Sequence, residues 1–108
     1  MRQLHYAGES LFVSFDICTA VFDYARALAS ARKSDVVTIP IYIDGKRDFS
    51  NVLLGPSTTL FCTPGPEVEI DLDDADAVAW MKVRTANLGP TRALVSNDPI
   101  EASAYDYE

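Results

Sequence analysis

The chain is poor in the residues that handle protons and metals near neutral pH. It has one histidine, His5, and two cysteines, Cys18 and Cys62, which are far apart in sequence. Zinc sites need nitrogen and sulfur ligands at short, regular spacing, and none occurs. The five glycines are spread one per turn, so neither a phosphate-cradling loop nor a dinucleotide fingerprint can be drawn. No apolar run approaches the roughly 20 residues that a membrane helix needs. The opening Met1-Arg2-Gln3-Leu4-His5-Tyr6 lacks the apolar stretch of a secretory leader. Basic residues number nine against sixteen acidic ones, a balance that disfavours nucleic acid, whose binding depends on cations displacing counterions. These absences predict a cytosolic protein with no cofactor, no metal and no membrane association. In that setting Cys18 and Cys62, each among apolar neighbours, are expected to be buried free thiols. A bond between them is not fixed by sequence, because its geometry cannot be read there.

What is present is charge segregation. From Met1 to Pro66 six basic and six acidic residues cancel, whereas from Glu67 to Glu108 ten acidic residues face three basic ones. The whole net charge of −7 therefore sits in the last 42 residues. Such a field favours a partner that is itself positive.

The order of elements is readable. Arg2–Tyr6 and Ser10–Val13 form an opening hairpin around Ala7-Gly8-Glu9. Ser14 is an N-cap, and Asp16 lies near the positive end of the dipole of a helix expected over about Phe15–Lys33. The apolar positions Ile17, Cys18, Val21, Phe22, Ala25, Leu28 and Ala29 recur at helical spacing. Val37, Ile39, Ile41 and Ile43 then alternate with Val36, Thr38, Pro40 and Tyr42 as a strand whose aliphatic set is expected to face the core. Pro40 lacks a ladder donor, so an edge position or a bulge is expected there. Asp44-Gly45 turns the chain into Phe49–Leu54, and Ser57–Thr63 completes what reads as a meander. After Pro64-Gly65-Pro66, the residues Val68, Ile70 and Leu72 alternate with Glu67, Glu69, Asp71 and Asp73, so extended chain with a carboxylate row outward is expected. Asp73 or Asp74 caps a second helix running to about Leu88, its apolar face formed by Ala77, Val78, Met81 and Leu88 with Trp80 at the border. The predicted fold is α+β. It is a two-layer α/β sandwich in the order β-β-α-β-β-β-α, with a mostly antiparallel sheet packed by the first helix. Residues 1–90 form the single domain, and 91–108 are expected to be a flexible acidic tail.

Three functional classes remain. The first is a non-enzymatic binding or regulatory module acting by protein–protein contact. Its strip Glu67, Glu69, Asp71, Asp73 and Asp76, with Tyr105, Asp106 and Tyr107 of the tail, would meet a basic protein partner. Masking of a basic partner, as antitoxin-like proteins do, is one version by analogy. Weak self-association through the Pro40-bearing edge strand is a second contact of the same kind. The next class is a nucleic-acid-associated protein using a small basic patch of Arg32, Lys33, Lys46 and Arg47. The last is a small enzyme built on His5 with a thiol or hydroxyl. The run Asp71, Asp73, Asp74, Asp76 does not match a calcium loop, because Ala75 interrupts the ligand positions and no glycine follows.

Overall fold

The computed structural model describes residues 1–89, so Tyr105, Asp106, Tyr107 and the rest of the tail lie outside the described residues. The elements are β1 (Arg2–Tyr6), β2 (Glu9–Val13), α1 (Phe15–Ala31), β3 (Asp35–Ile43), β4 (Lys46–Leu54), β5 (Leu60–Pro64) and α2 (Ala75–Asn87). The fold is α+β: one five-stranded sheet, ordered β4-β3-β2-β1-β5, with two helices. Every strand pairing is antiparallel.

Two tight hairpins organise the sheet. Ala7 and Gly8 have φ of 52° and 80°, and Asp44 and Gly45 have φ of 53° and 79°. Two central residues with positive φ make a type I′ turn, whose twist matches that of the flanking strands. The first loop is thus one residue shorter than expected, with Glu9 already in β2. The second turn pairs Ile43 with Lys46 and extends β4 back to the tip, three residues before Phe49.

Pro40 is not in an edge strand, because β3 lies between β4 and β2. The register explains how it is tolerated. A two-residue hairpin closes on a hydrogen-bonded pair, Ile43 with Lys46, and such pairs then recur every second residue. Pro40, opposite Phe49, falls between them and turns its missing donor away from β4, toward β2. There the pairing is limited to Phe12 with Tyr42. Among the described residues the edges are β4 and β5. The expected meander also fails at its last step, since β5 pairs with β1 from Arg2↔Pro64 to Tyr6↔Leu60. The sheet curls so that its far strands approach. The Tyr6 hydroxyl on β1 donates to the Leu53 carbonyl on β4 at 2.6 Å, across three steps of sheet order.

The α1 helix begins where Ser14 Oγ accepts from the Ile17 N–H at 3.1 Å. It ends two residues earlier than expected, at Arg32, which takes a left-handed conformation (φ 56°) while its N–H bonds the Ala29 carbonyl. Its buried stripe differs from the expected one. Phe22 is 42% exposed and Ala29 is exposed, whereas Ala20, Tyr24 and Ala27 are buried. The cause is α2, which lies along α1 and covers the side that bears Ala20 and Tyr24. The core joins Leu4, Val13, Ile17, Val21, Tyr24, Leu28, Val37, Ile39, Val52, Leu54 and Met81 in one cluster. Ile43, expected inside, is 44% exposed because it sits at the hairpin tip beyond α2. No helix among the described residues is long and apolar enough to cross a membrane.

Cys18 and Cys62 are joined as a disulfide, with Cα atoms 6.9 Å apart. The expectation of free thiols is overturned. Cys18 lies on the face of α1 that packs over the sheet, and Cys62 lies on the same side of β5 as Leu60, so the two side chains converge.

Candidate functional site: an acid-rimmed groove beside the first helix

Residues 67–73 belong to no helix or strand, and the chain bends at Glu69. Their burial alternates as the sequence predicts: Val68 and Ile70 are half-buried and Leu72 is buried, while Glu67, Glu69, Asp71 and Asp73 are exposed. Two anchors hold the segment in this posture. At its start the Gly65 N–H donates to the Met1 carbonyl at 2.9 Å, and the terminal amine lies 3.8 Å from Glu67 Oε2. Gly65 must be small here, since a Cβ would stand 3.1 Å from that carbonyl oxygen. At its end Arg47, from the hairpin tip, donates to the carbonyls of Asp73 at 3.2 Å and Asp71 at 3.4 Å, and faces the Asp74 carboxylate at 3.8 Å. Asp74 also caps α2 through the Ala77 N–H at 3.0 Å.

Between this segment and the start of α1 lies a groove of about 510 Å³. Phe15, Val68 and Ile70 supply its apolar lining, and Glu67, Asp71 and Asp73 supply carboxylates. Phe15 is 64% exposed. The Arg2 guanidinium already sits 5.9 Å from its ring centroid, a cation–π contact. The structure thus brings three of the five strip residues to one groove. Glu69 is exposed outside it, and Asp76 lines a separate recess with Trp80 and Val36.

The basic residues do not form one patch. Arg32 and Lys33 end α1, whereas Lys46 and Arg47 form the far side of the β3–β4 turn. The nine residues of β3 stand between the two pairs, roughly 30 Å of strand. Arg47 is in addition occupied by the acidic segment.

His5 is not isolated. Its Nε2 lies 2.8 Å from Thr63 Oγ1 and its Nδ1 lies 3.3 Å from Ser10 Oγ. Its ring stacks on Phe61 at 4.3 Å between centroids. The register pairs His5 with Ser10 on one side and Phe61 on the other, so the contacts knit β2, β1 and β5 together. A cavity of about 530 Å³ opens beside them. Among the described residues no carboxylate bonds the ring, and Cys62 is held in the disulfide.

One cluster is absent from the sequence reading. The Tyr24 hydroxyl donates to Asp35 Oδ2 at 2.5 Å and accepts from Arg84 Nε at 3.0 Å, while Arg84 Nε lies 3.2 Å from the same carboxylate. Arg84 stacks over Trp80, and Tyr24 meets Trp80 edge-on. The Tyr24 hydrogen bond holds the Asp35 carboxyl below its ordinary range, and burial together with that bond pushes the Tyr24 phenol up. The signal was the unbroken series Ile17, Val21, Tyr24, Leu28, in which Tyr24 occupies a core position despite its hydroxyl. The cluster ties α1, β3 and α2 together.

No family model, curated protein or solved structure matches this chain.

Proposed function

We propose that this protein is a non-enzymatic binding module that takes a basic segment of a partner protein into the groove beside α1. The observation that carries the reading is the pairing of carboxylates with an apolar lining in one concave strip. An Arg or Lys side chain laid there sets its alkyl stem on Phe15, Val68 and Ile70 and its charged head on Glu67, Asp71 or Asp73. Arg2 over Phe15 is an internal instance of that chemistry. The tail, with Tyr105, Asp106 and Tyr107, is proposed to extend the same acidic surface to the partner. Masking of a basic partner in the antitoxin-like manner remains one version by analogy. The cytosolic placement rests on the sequence pattern of the opening residues and the lack of a long apolar run, and the bonded pair speaks against it, because a disulfide suits an oxidising compartment.

The test is binding of a fluorescent peptide that alternates Arg or Lys with Leu. Affinity should fall with added salt, and Asp71→Lys with Asp73→Lys should lower it at least tenfold. Unchanged affinity in that double variant defeats the reading.

A second reading rests on His5, which has a hydroxyl on each ring nitrogen at the edge of a cavity. A Ser10–His5 pair of that kind supports hydroxyl-based hydrolysis. Labelling of Ser10 by a fluorophosphonate, abolished in His5→Gln, would favour it over the binding module. The nucleic-acid reading needs a joint patch of Arg32, Lys33, Lys46 and Arg47, and their separation along β3 argues against it.

A further inference from the structure

The solvent side of α1 carries a pattern that covering the sheet does not require. Phe15 and Phe22, one heptad apart, are 64% and 42% exposed. Thr19 lies between them on the same stripe, and Asp16 and Asp23 run beside it, again one heptad apart. The inward positions are already filled by Ile17, Val21, Tyr24 and Leu28. The stripe borders a cleft of about 350 Å³ between α1 and α2. Asp16 and Asp23 stand on its α1 side and Lys82 on its α2 side, and none of the three is in an ion pair among the described residues. Ala20 and Ala86 also line it, and their small side chains let another backbone approach. Phe15 is a wall both of this cleft and of the acid-rimmed groove, so the two depressions adjoin.

Spacing decides the shape of what fits. Residues one heptad apart on a helix stand on one face, about 10.5 Å from each other along the axis. A second helix laid alongside repeats its side chains at that same interval. An extended strand repeats a face about every 6.8 Å, and so falls out of step with both the phenylalanines and the carboxylates. Charge decides whose helix it is. A second copy of this chain would bring its own Asp16 and Asp23 against the same stripe. Residues 90–108 of the chain carry four acidic residues and one basic one, so they are repelled as well. The complement is a helix that is basic.

We infer that the α1–α2 cleft takes an amphipathic basic helix of the partner protein, laid along the Phe15–Phe22 stripe. The inference rests on the reading above that the partner is basic, and it adds the partner's conformation and the spacing of its side chains. Apolar residues one heptad apart pack on Phe15 and Phe22, and a third seats over Ala20 and Val78. Lys or Arg residues one heptad apart meet Asp16 and Asp23. Lys82 repels those cations from the α2 side and so fixes which way round the helix lies. Where the helix ends, the chain that follows can pass Phe15 into the acid-rimmed groove.

The experiment is fluorescence anisotropy on the full chain with a synthetic helical peptide in which Leu and Lys each recur at heptad spacing. The control is the same peptide with a central proline that breaks the helix. The parent should bind the helical peptide about tenfold more tightly than the control. Phe22→Ala and Asp23→Lys, both on the exposed side of α1, should each weaken the helical peptide about tenfold while their far-ultraviolet circular dichroism matches the parent. Asp71→Lys with Asp73→Lys, which tests the groove, should leave the preference for the helical peptide over its control in place. No binding of the helical peptide, equal binding of the two peptides, or a folded Asp23→Lys variant that binds as the parent does overturns the inference. The Arg–Leu peptide and its groove variant then decide the groove reading separately.

Discussion

Tyr24 and Ala7 show how single side chains fix local energetics in this protein. Tyr24 is buried and donates to an ionised carboxylate, a class of bond worth about 1.5–3 kcal/mol. Tyr24→Phe should therefore lower stability by about 2 kcal/mol in urea titration, and should let the Asp35 carboxyl rise toward its ordinary value. The pH dependence has a definite sign. A carboxyl whose folded value is depressed stabilises the fold at and above its ordinary value near 3.8, and that contribution disappears as pH falls through the lower folded value. Asp35→Asn should flatten the acid limb of the stability profile below about pH 4. Ala7 carries a Cβ at φ 52°, a conformation that costs a non-glycine residue about 1 kcal/mol. Ala7→Gly should accordingly raise the melting temperature by several degrees, roughly 4–8 °C for each kcal/mol in a domain of this size. Chain position alone gave no warning of this strain, because Ala7-Gly8-Glu9 fits a three-residue loop as readily as a two-residue one.

Among the elements, α1 and α2 were the most legible, because both have a polar N-cap followed by apolar residues at helical spacing. Ser14 and Asp74 cap them as expected. The 67–73 segment was legible too, since period-two alternation survives even where no neighbouring strand accepts the backbone. What sequence could not show was which strands pair across a distance. Pro40 signals a missing donor but not the side to which it points, and Ser57–Thr63 reads as a strand without revealing that β1 is its neighbour. The disulfide was hidden for the same reason: Cys18 and Cys62 meet only because β5 lies on the far edge of β1. That bond closes a span of 44 residues, for which chain entropy predicts about 4 kcal/mol of stabilisation. Reduction with dithiothreitol should thus lower the melting temperature markedly, and the unreduced, denatured protein should take up no thiol-alkylating reagent. Uptake of two equivalents without reductant would remove the link between α1 and β5. Arg47 has a comparable role for the acidic segment. Arg47→Ala should speed amide exchange in residues 71–74 while leaving exchange in β1 unchanged.

At the scale of the whole molecule, charge and shape act together. The acidic segment is held at one end by the Met1 backbone and at the other by the β3–β4 hairpin tip, so Glu67, Asp71 and Asp73 line a groove with a defined apolar lining. That arrangement makes recognition depend on a cation with a hydrophobic stem, and a simple polyanion surface would not. Poly-lysine of equal charge should consequently bind more weakly than a peptide alternating Arg with Leu, and its binding should be lost sooner as salt is added. The most direct measurement is a two-dimensional amide NMR titration of the full chain with the Arg–Leu peptide. Shifts confined to Phe15, Glu67–Asp73 and the start of α1 are the predicted result; shifts centred on His5, Ser10 and Phe61, or none at all, would contradict the account.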